Sequence, residues 1–456
     1  MVYLISVAAL VAVFAIATVR PINMGVLAFL AAFAVGGLVS GISMEEVQSF
    51  FPGDMFFVAF GITLLFGLAR ANGTLDVVMQ RSLKLVRGKR WAIVWMMFLL
   101  AAILMALGSV LAVAMLAPIA MPIAKRYGIN PLLMGMMLSH GALGAAFSPI
   151  TVYSVGIQQL LDEASFSVSP VALFFVPFLL NLLFAAIAFV AFGRDLFRDQ
   201  VVVEEDLVAV GAGSITGAGG VGGGGGVVGG GSADGPARPS GIGPGAVDTR
   251  ALHLAPSMAV TFEQWITFAA IAALLAAALF GIDVGVAATC IGAVLLLVFP
   301  SRVEATMKSI AWSAVVLVCG VVTYMGVLNA NGTIDYLGEK ATELPWPLLT
   351  AFVLLLAVGI ISAVGSSFGI ILIALPLAMP LLEAGHFSIA AFIMALAFCA
   401  TVVDVSPFST NGVIVLATAQ VEDRQRFQKN MLTYCGYVVL TAPVLAWLIL
   451  VLPSSL

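Results

Sequence analysis

The chain has 456 residues, of which 62% are hydrophobic and only 9% are charged, with a mean hydropathy of +1.15 and a formal net charge of −4. This composition lies far outside that of soluble globular proteins and indicates a polytopic membrane protein. The start of the chain has no basic n-region, so residues 2–19 are predicted to form a first span rather than a cleaved signal peptide.

Apolar segments follow one another along both halves of the chain, and most are close to the roughly 20 residues that cross a bilayer as a helix. In the first half they lie at 2–19, 22–41, 54–71, 91–124, 132–158 and 170–192. In the second half they lie at 263–280, 284–299, 310–329, 346–383, 388–419 and 432–453.

Two of these segments, 91–124 and 346–383, are too long for one crossing. Each is interrupted by a glycine-serine step, Gly108-Ser109 in the first and Gly365-Ser366-Ser367 in the second. Each is therefore predicted to be a helical hairpin that enters the membrane and returns. Each half then has five crossings plus one re-entrant hairpin, and the odd count predicts that the second half is inverted.

A glycine-rich stretch separates the halves and includes "GAGSITGAGGVGGGGGVVGGG". Its composition predicts a flexible linker, while a phosphate-binding loop is disfavoured because no GK[ST] follows it. The predicted organisation is a first repeat at 1–198, a cytoplasmic linker at 199–262 and a second repeat at 263–456.

Short motifs recur in the two halves in the same order. "LARANGTLDVV" is matched by "LNANGTIDYL", so that Asn72-Gly73-Thr74 recurs at Asn331-Gly332-Thr333, 259 positions later. "AMLAPIAMP" is matched by "LIALPLAMP" and "FSPIT" by "VSPFS", each 258 positions later. The near-constant interval indicates an internal repeat. Asn72 and Asn331 are interpreted as helix stops followed by glycine, not as site residues.

The basic residues test the inverted arrangement. When the predicted segments are placed across the membrane in this order, 18 of the 19 basic residues lie on one side and only Lys340 lies on the other. The positive-inside rule makes the basic side cytoplasmic. The sequence therefore predicts a multi-pass protein of the cell membrane, with the linker in the cytoplasm and both termini outside.

The segment "DVSPFSTNG" at 404–412 places polar residues and a proline within an apolar span. Irregular backbone at membrane depth is tolerated where it is buried in protein or lines a watery cavity, and paired broken helices are typical of secondary transporters. Hydroxyls and freed carbonyls suit a small cation, and the half-helix after Asn411-Gly412 suits an anion. A simple proline kink is the alternative.

The predicted substrate- and ion-binding residues are Gly108, Ser109, Ser148, Pro149, Thr151, Gly365, Ser366, Ser367, Asp404, Ser406, Pro407, Ser409, Thr410 and Asn411. No catalytic residue, cofactor or metal site is predicted beyond sodium or proton coupling at these positions. Asp404, which has Ala146 as its first-half counterpart, is interpreted as a cation ligand or proton carrier, with helix capping as the alternative. His140 is interpreted as a hydrogen-bonded packing residue rather than a proton carrier.

The hairpin tips and the [ST]-P broken helices in two copies resemble the divalent anion–sodium symporters of the ion-transporter superfamily. "SPFSTNG" and "FSPIT" look most like the malonate and C4-dicarboxylate carrier branch. The resemblance implies an elevator mechanism, a homodimer and a small dicarboxylate substrate. Tips of that family carry Ser-Asn-Thr, whereas these tips read Gly108-Ser109-Val110 and Gly365-Ser366-Ser367.

No Lys or Arg lies within a broken segment, so cations must offset the charge of a bound dicarboxylate. Moving two negative charges inward against about 100 mV costs roughly 4.6 kcal/mol, from about 2.3 kcal/mol per charge, which requires at least two co-transported cations. A proton-coupled antiporter or exporter of the same fold is the alternative function. A membrane protease is disfavoured because HExxH and GxGD motifs are absent from the sequence.

Overall fold

The computed structural model of the protein describes residues 1–20, 22–85, 89–197, 260–342 and 346–455. All regular secondary structure in these ranges is helical, which confirms the predicted all-α class for the described part of the chain. The predicted linker at 199–262 lies outside the described residues except for positions 260–262, so its flexibility stays a prediction.

Ten α-helices are described in each half. The first half contains α1 (Val2–Val19), α2 (Met24–Phe33), α3 (Met44–Ser49), α4 (Gly53–Ala71), α5 (Thr74–Leu85), α6 (Arg90–Ala106), α7 (Ala112–Arg126), α8 (Pro131–Gly144), α9 (Val152–Glu163) and α10 (Pro170–Phe192). The second half contains α11 (Phe262–Leu279), α12 (Val284–Val298), α13 (Val303–Ser309), α14 (Trp312–Ala330), α15 (Thr333–Thr342), α16 (Pro347–Ser362), α17 (Ser367–Glu383), α18 (Ile389–Val402), α19 (Thr410–Thr418) and α20 (Arg424–Ala446).

The order of helices repeats, so that each helix of the first half has its counterpart ten helices later. Helices α4 and α14 both have 19 residues and end directly before the Asn-Gly-Thr motif. Gly73 and Gly332 follow with φ of 74° and 73°, a conformation that glycine adopts without strain. The interpretation of Asn72 and Asn331 as helix stops is confirmed.

Each of the two long apolar segments forms two helices joined by a short connection, as predicted, while their re-entry from one side of the membrane stays a prediction. In the first, α6 and α7 are joined through Gly108, whose φ of 102° requires glycine. Arg90 Nη2 donates to the carbonyl of Gly128 at 2.6 Å, so the outer ends of this hairpin lie side by side. In the second, residues 363–366 join α16 to α17.

The apolar helices differ in length, and only some of them are long enough to cross a membrane alone. In the described ranges, five helical stretches are long and apolar enough to cross a membrane on their own: Gly53–Ala71, Pro131–Asp162, Pro170–Phe192, Trp312–Ala330 and Arg424–Ser455. Helix α12 continues past Phe299 into a segment bent by 109°, and the two together make a possible sixth crossing. The chain is thus a multi-pass membrane protein, while the predicted ten crossings include shorter helices such as α2 and α18.

The helices form two packing groups. We call α1–α4 with α11–α14 the frame and α6–α10 with α16–α20 the mobile group, and both names denote packing alone. In the frame, α4 packs against α12 and α13, and α14 packs against α2. A Cβ at Gly25 would lie 2.0 Å from Val316 O, and one at Gly285 would lie 2.6 Å from Val58 N, so glycine permits both helix crossings. In the mobile group, the first hairpin packs on α8 and α19, the broken helices pack on α10, and the second hairpin packs on α18 and α20.

Candidate functional site

The break in the second broken helix separates α18 from α19 by seven residues, 403–409. Ser409 begins α19 as its N-cap, because its Oγ accepts the Gly412 N–H at 3.3 Å. The same hydroxyl donates to the Ser406 carbonyl at 2.8 Å. A Cβ at Gly412 would lie 1.7 Å from Ser406 O, so the turn around Pro407 closes only on a glycine.

Asp404 lies within this break and is 3% exposed. Its carboxylate accepts two long hydrogen bonds, both of 3.3 Å, from the Asn411 backbone N–H and from Asn411 Nδ2. The Ser367 hydroxyl faces the carboxylate from the second hairpin but has no hydrogen-bond partner in the described residues. A buried carboxylate is costly unless it is paired or protonated.

These contacts change the expected role of the half-helix. It begins at Thr410, not after Asn411-Gly412 as the sequence indicated. The N–H of Asn411 bonds to Asp404 and the N–H of Gly412 bonds to Ser409, so this end does not offer those groups to an anion. When ionised, the Asp404 carboxylate also repels negative charge at this end of α19.

The first broken helix repeats the capping geometry without the carboxylate. Thr151 is the N-cap of α9, and its hydroxyl donates to Ser148 O at 2.8 Å and to the Ala146 carbonyl. Ser148 and Thr151 are buried, whereas Pro149 is exposed. Because Ala146 occupies the place of Asp404, the two broken helices have matched backbones but different charges.

A cavity of about 810 Å³ lies between the frame and the mobile group. The predicted site residues that line it are Gly365, Ser366, Asp404, Ser409, Thr410 and Asn411. This volume falls within the range of about 300–1,000 Å³ that is usual for small-molecule sites. The second hairpin tip and the second broken helix thus meet at one cavity, and the binding role of these residues stays a prediction.

Other predicted residues lie away from this cavity. Gly108 and Ser109 border a separate space of about 20 Å³, and the first hairpin reaches the main cavity through Val110 and Leu111 instead. The remaining predicted residues, which do not line it, are Ser148, Pro149, Thr151, Ser367, Ser406 and Pro407.

Several cavity residues were missed from sequence. Tyr153 lines the wall and stacks on Phe368, with ring centroids 4.5 Å apart. Tyr153 occupies the repeat position of Asn411, so aligning the two broken helices residue by residue could have found it. Arg20 and Asn23, at the end of α1 and the start of α2, also line the cavity. No sequence pattern predicts that Arg20 and Asn23 lie near the hairpins, because the two groups of helices are brought together by tertiary packing between distant parts of the chain.

His140 is held in a buried hydrogen-bond network. Its Nδ1 lies 3.2 Å from Asn181 Oδ1, and its Nε2 lies 2.8 Å from the Tyr434 hydroxyl. Because Asn181 Nδ2 donates to Pro177 O, its Oδ1 accepts, and these partners assign the proton to Nδ1 of the imidazole. Both ring nitrogens have partners within the mobile group, which supports the packing interpretation.

Comparison with known proteins supports a transporter fold. Residues 1–146 match the family model described as "Dicarboxylate carrier protein MatC N-terminus". No curated protein matches the chain by sequence. The structure is similar to that of Neisseria gonorrhoeae MtrF, described with a class of antimetabolite efflux pumps, at 13% identity and a TM-score of 0.54, over 89% of this chain and 82% of that one.

A second similar structure is the Alcanivorax borkumensis YdaH transporter, described as having an unusual topology. It is 17% identical, with a TM-score of 0.55, over 88% of this chain and 86% of that one. At these identities the likeness shows the fold. The chain therefore has the fold of membrane transporters, and its first third is similar to a dicarboxylate carrier family.

Proposed function

We propose that the protein is a secondary transporter that imports a small dicarboxylate of the malonate or C4 class. Import is coupled to the entry of sodium down its gradient. It acts as a carrier and not as an enzyme. The match of residues 1–146 to a dicarboxylate carrier family supports the substrate class. The transporter fold and the cavity between two groups of helices support a carrier mechanism.

The observation that carries the proposal is the environment of Asp404. It is a buried carboxylate at the wall of the main cavity, and no basic side chain of the described ranges forms an ion pair with it. A dianion entering this cavity raises the cost of that charge further. A cation bound at Asp404, with the Ser367 hydroxyl beside it, offsets both charges and makes anion binding depend on the cation.

An inverted repeat gives the cavity access from alternate sides. Arg70, near the end of α4, and Ala311, at the start of α14, border the same small space. Asn331, at the other end of α14, contacts Ser6 near the start of α1. Helix α14 is about 28 Å long, from about 1.5 Å per residue, so Asn72 and its counterpart Asn331 lie at opposite ends of the frame. This arrangement supports an inverted repeat and an elevator in which the mobile group carries the site past the frame.

A proton-coupled antiporter or exporter is the second candidate function. Asp404 favours it, because a buried carboxylate can take up a proton in place of sodium. MtrF, which shares the fold, is described with efflux pumps. The two candidates differ in the coupling ion and in direction, not in the site.

The test is transport by purified protein in proteoliposomes. Labelled malonate, succinate, malate and a tricarboxylate are supplied with an inward sodium gradient, with an inward proton gradient, and with neither. Sodium-dependent dicarboxylate uptake is the expected result. Uptake driven only by protons, or efflux driven by inward protons, selects the second candidate, and no movement of any dicarboxylate rejects both.

In the cell we propose that the protein is a homodimer in the cytoplasmic membrane with both termini outside. Three contacts support a common end for the basic segments. Arg302 pairs with Glu263 at 3.0 Å and donates to Ala71 O, and Trp91 stacks on Phe197 at 6.0 Å. Tyr3 stacks instead on Tyr336 at 4.8 Å, which places the start of α1 beside α15.

A further inference from the structure

We propose that Arg20 is a specificity-determining residue, which binds a carboxylate of the substrate when the cavity is open on its side. This inference rests on the proposed function and adds a residue from the frame to a site otherwise formed by the mobile group. The substrate class it favours is a dianion over a monoanion or a neutral molecule.

Arg20 is the only basic residue among the described residues that line the main cavity. It is exposed at the end of α1, and its guanidinium has no hydrogen-bond or ion-pair partner in the described part of the chain. Its neighbours on this wall are Asn23 and Ser313, joined by hydrogen bonds of 2.8 and 2.9 Å from Asn23 Nδ2. The guanidinium is therefore available to a ligand that enters the cavity.

The opposite wall explains why such a cation matters. Asp404 and the capped end of α19 supply negative charge and occupied N–H groups to the cavity. An anion held by that wall alone depends on the coupling cation. Arg20 supplies five N–H donors in the planar arrangement that suits a carboxylate. A dicarboxylate can thus place one end near the cation at Asp404 and the other toward Arg20.

The positive charge of Arg20 is not repeated in the second half of the chain. Phe280, Asp283 and Asp54 stand at the repeat positions of Arg20, Asn23 and Ser313. Asp54 also lines a second cavity of about 620 Å³, together with Asp335 and Glu383. That second cavity does not include Asp404 or the second hairpin tip. The lining of the second cavity thus has three carboxylates and no basic residue among the described residues, whereas the main cavity has Arg20 opposite Asp404.

Because Arg20 belongs to the frame, it contacts the substrate only in the state that opens on its face. Removing it therefore weakens capture from that face and leaves capture from the opposite face nearly unchanged. For an exposed guanidinium that pairs with one carboxylate of the substrate, the expected loss is about three- to tenfold in affinity at low salt, and it shrinks as salt screens the charges.

The experiment measures KM for the transported dicarboxylate from each face, in right-side-out and inside-out vesicles. Arg20→Gln is expected to raise KM about three- to tenfold from the Arg20 face, and the difference from wild type should diminish as ionic strength rises. Arg20→Lys should give a KM between those of wild type and Arg20→Gln, because lysine keeps the charge but not the planar arrangement of donors. Arg194→Gln is the matched control, because Arg194 is exposed and does not line the cavity.

The salt dependence of the wild-type KM provides a second measurement that does not depend on the stability of the Arg20 variants. KM from the Arg20 face should rise more steeply with ionic strength than KM from the opposite face, because salt screens the attraction between Arg20 and the dianion. An unchanged KM in Arg20→Gln, or an equal rise from both faces, would overturn the proposal while leaving dicarboxylate transport in place. If Arg20→Gln does not accumulate, an equal salt dependence of the wild-type KM from both faces overturns it. If wild type moves no dicarboxylate, the proposed function and this inference fall together.

Discussion

The side-chain amide of Asn72 donates a hydrogen bond of 2.7 Å to the hydroxyl of Thr267, and so joins the end of α4 to the first helix of the other half. Its counterpart Asn331 donates to the Ser6 hydroxyl at 3.0 Å, which joins the end of α14 to the first helix of the first half. Each half thus contacts the first helix of the other half through an equivalent asparagine. These reciprocal contacts support the inverted repeat that we propose.

Replacing either asparagine should destabilise the frame by a similar amount. Asn72 Oδ1 also accepts the Thr74 N–H at 3.0 Å, and Asn331 Oδ1 accepts the Thr333 N–H at 3.1 Å. Alanine leaves these buried groups without partners, at a cost of about 1–3 kcal/mol. Asn72→Ala and Asn331→Ala should both lower the apparent melting temperature in detergent.

The control for these variants is Asn430→Ala, because Asn430 is exposed on α20. It should melt like wild type. A loss of stability in only one of the two asparagine variants would contradict the reciprocal arrangement.

Equivalent positions of the two halves should be accessible from opposite faces of the membrane. Arg81 and Lys340 stand at matching repeat positions, and both are exposed. With Cys290 replaced, because it is exposed, a cysteine at Lys340 should react with an impermeant thiol reagent in intact cells. A cysteine at Arg81 should react only after the membrane is opened. Labelling of both from the same face would reject the inverted repeat.

The sequence predicted the repeat well because the signals are local. Proline, glycine and the Asn-Gly-Thr motif act on the backbone within a few residues, so the helix stops, the hairpins and the breaks are visible without a fold. The start of α19 was misplaced because the hydroxyl of Ser409, rather than glycine, begins the half-helix. Capping by serine was therefore the signal that was overlooked.

The cavity was predicted only in part. Asp404 and Asn411 stand out because polar residues are rare in apolar spans. Arg20 does not stand out in the sequence, because basic residues commonly flank the ends of membrane-spanning helices. Its place in the cavity depends on how the frame packs beside the second hairpin, which is a long-range contact that no local pattern encodes.

Removing polar groups from the cavity wall should weaken substrate or sodium binding. Ser409→Ala and Asn411→Ala each remove one polar partner from the break, at about 1–3 kcal/mol, or roughly 5- to 150-fold in affinity. The measurement is the concentration dependence of uptake for dicarboxylate and for sodium. Thr418→Ala is the matched control, because this hydroxyl bonds only within α19, to Ile414 O at 2.8 Å and Val415 O at 3.3 Å. Wild-type kinetics in both variants, with normal protein levels, would exclude this break as the site.

Asp404→Asn separates the three roles proposed for this carboxylate. The substitution keeps the size of the side chain and removes its charge. If Asp404 ligates sodium, as we propose, the variant should need more sodium at the same dicarboxylate concentration, because a neutral amide oxygen attracts the ion less than a carboxylate. The measurement is uptake against sodium concentration at several pH values. If Asp404 carries a proton, the variant should lose its pH dependence and keep its sodium response.

The third role is capping, since Asp404 accepts the Asn411 N–H at 3.3 Å. Asparagine caps a helix about as well as aspartate, so a residue that only caps would leave both responses unchanged. Asn411 Nδ2 also donates to Asp404 at 3.3 Å, and an amide at position 404 can still accept that bond through its oxygen. The backbone of the break should therefore survive the substitution. A variant with wild-type sodium and pH responses would assign Asp404 to capping and reject the coupling site.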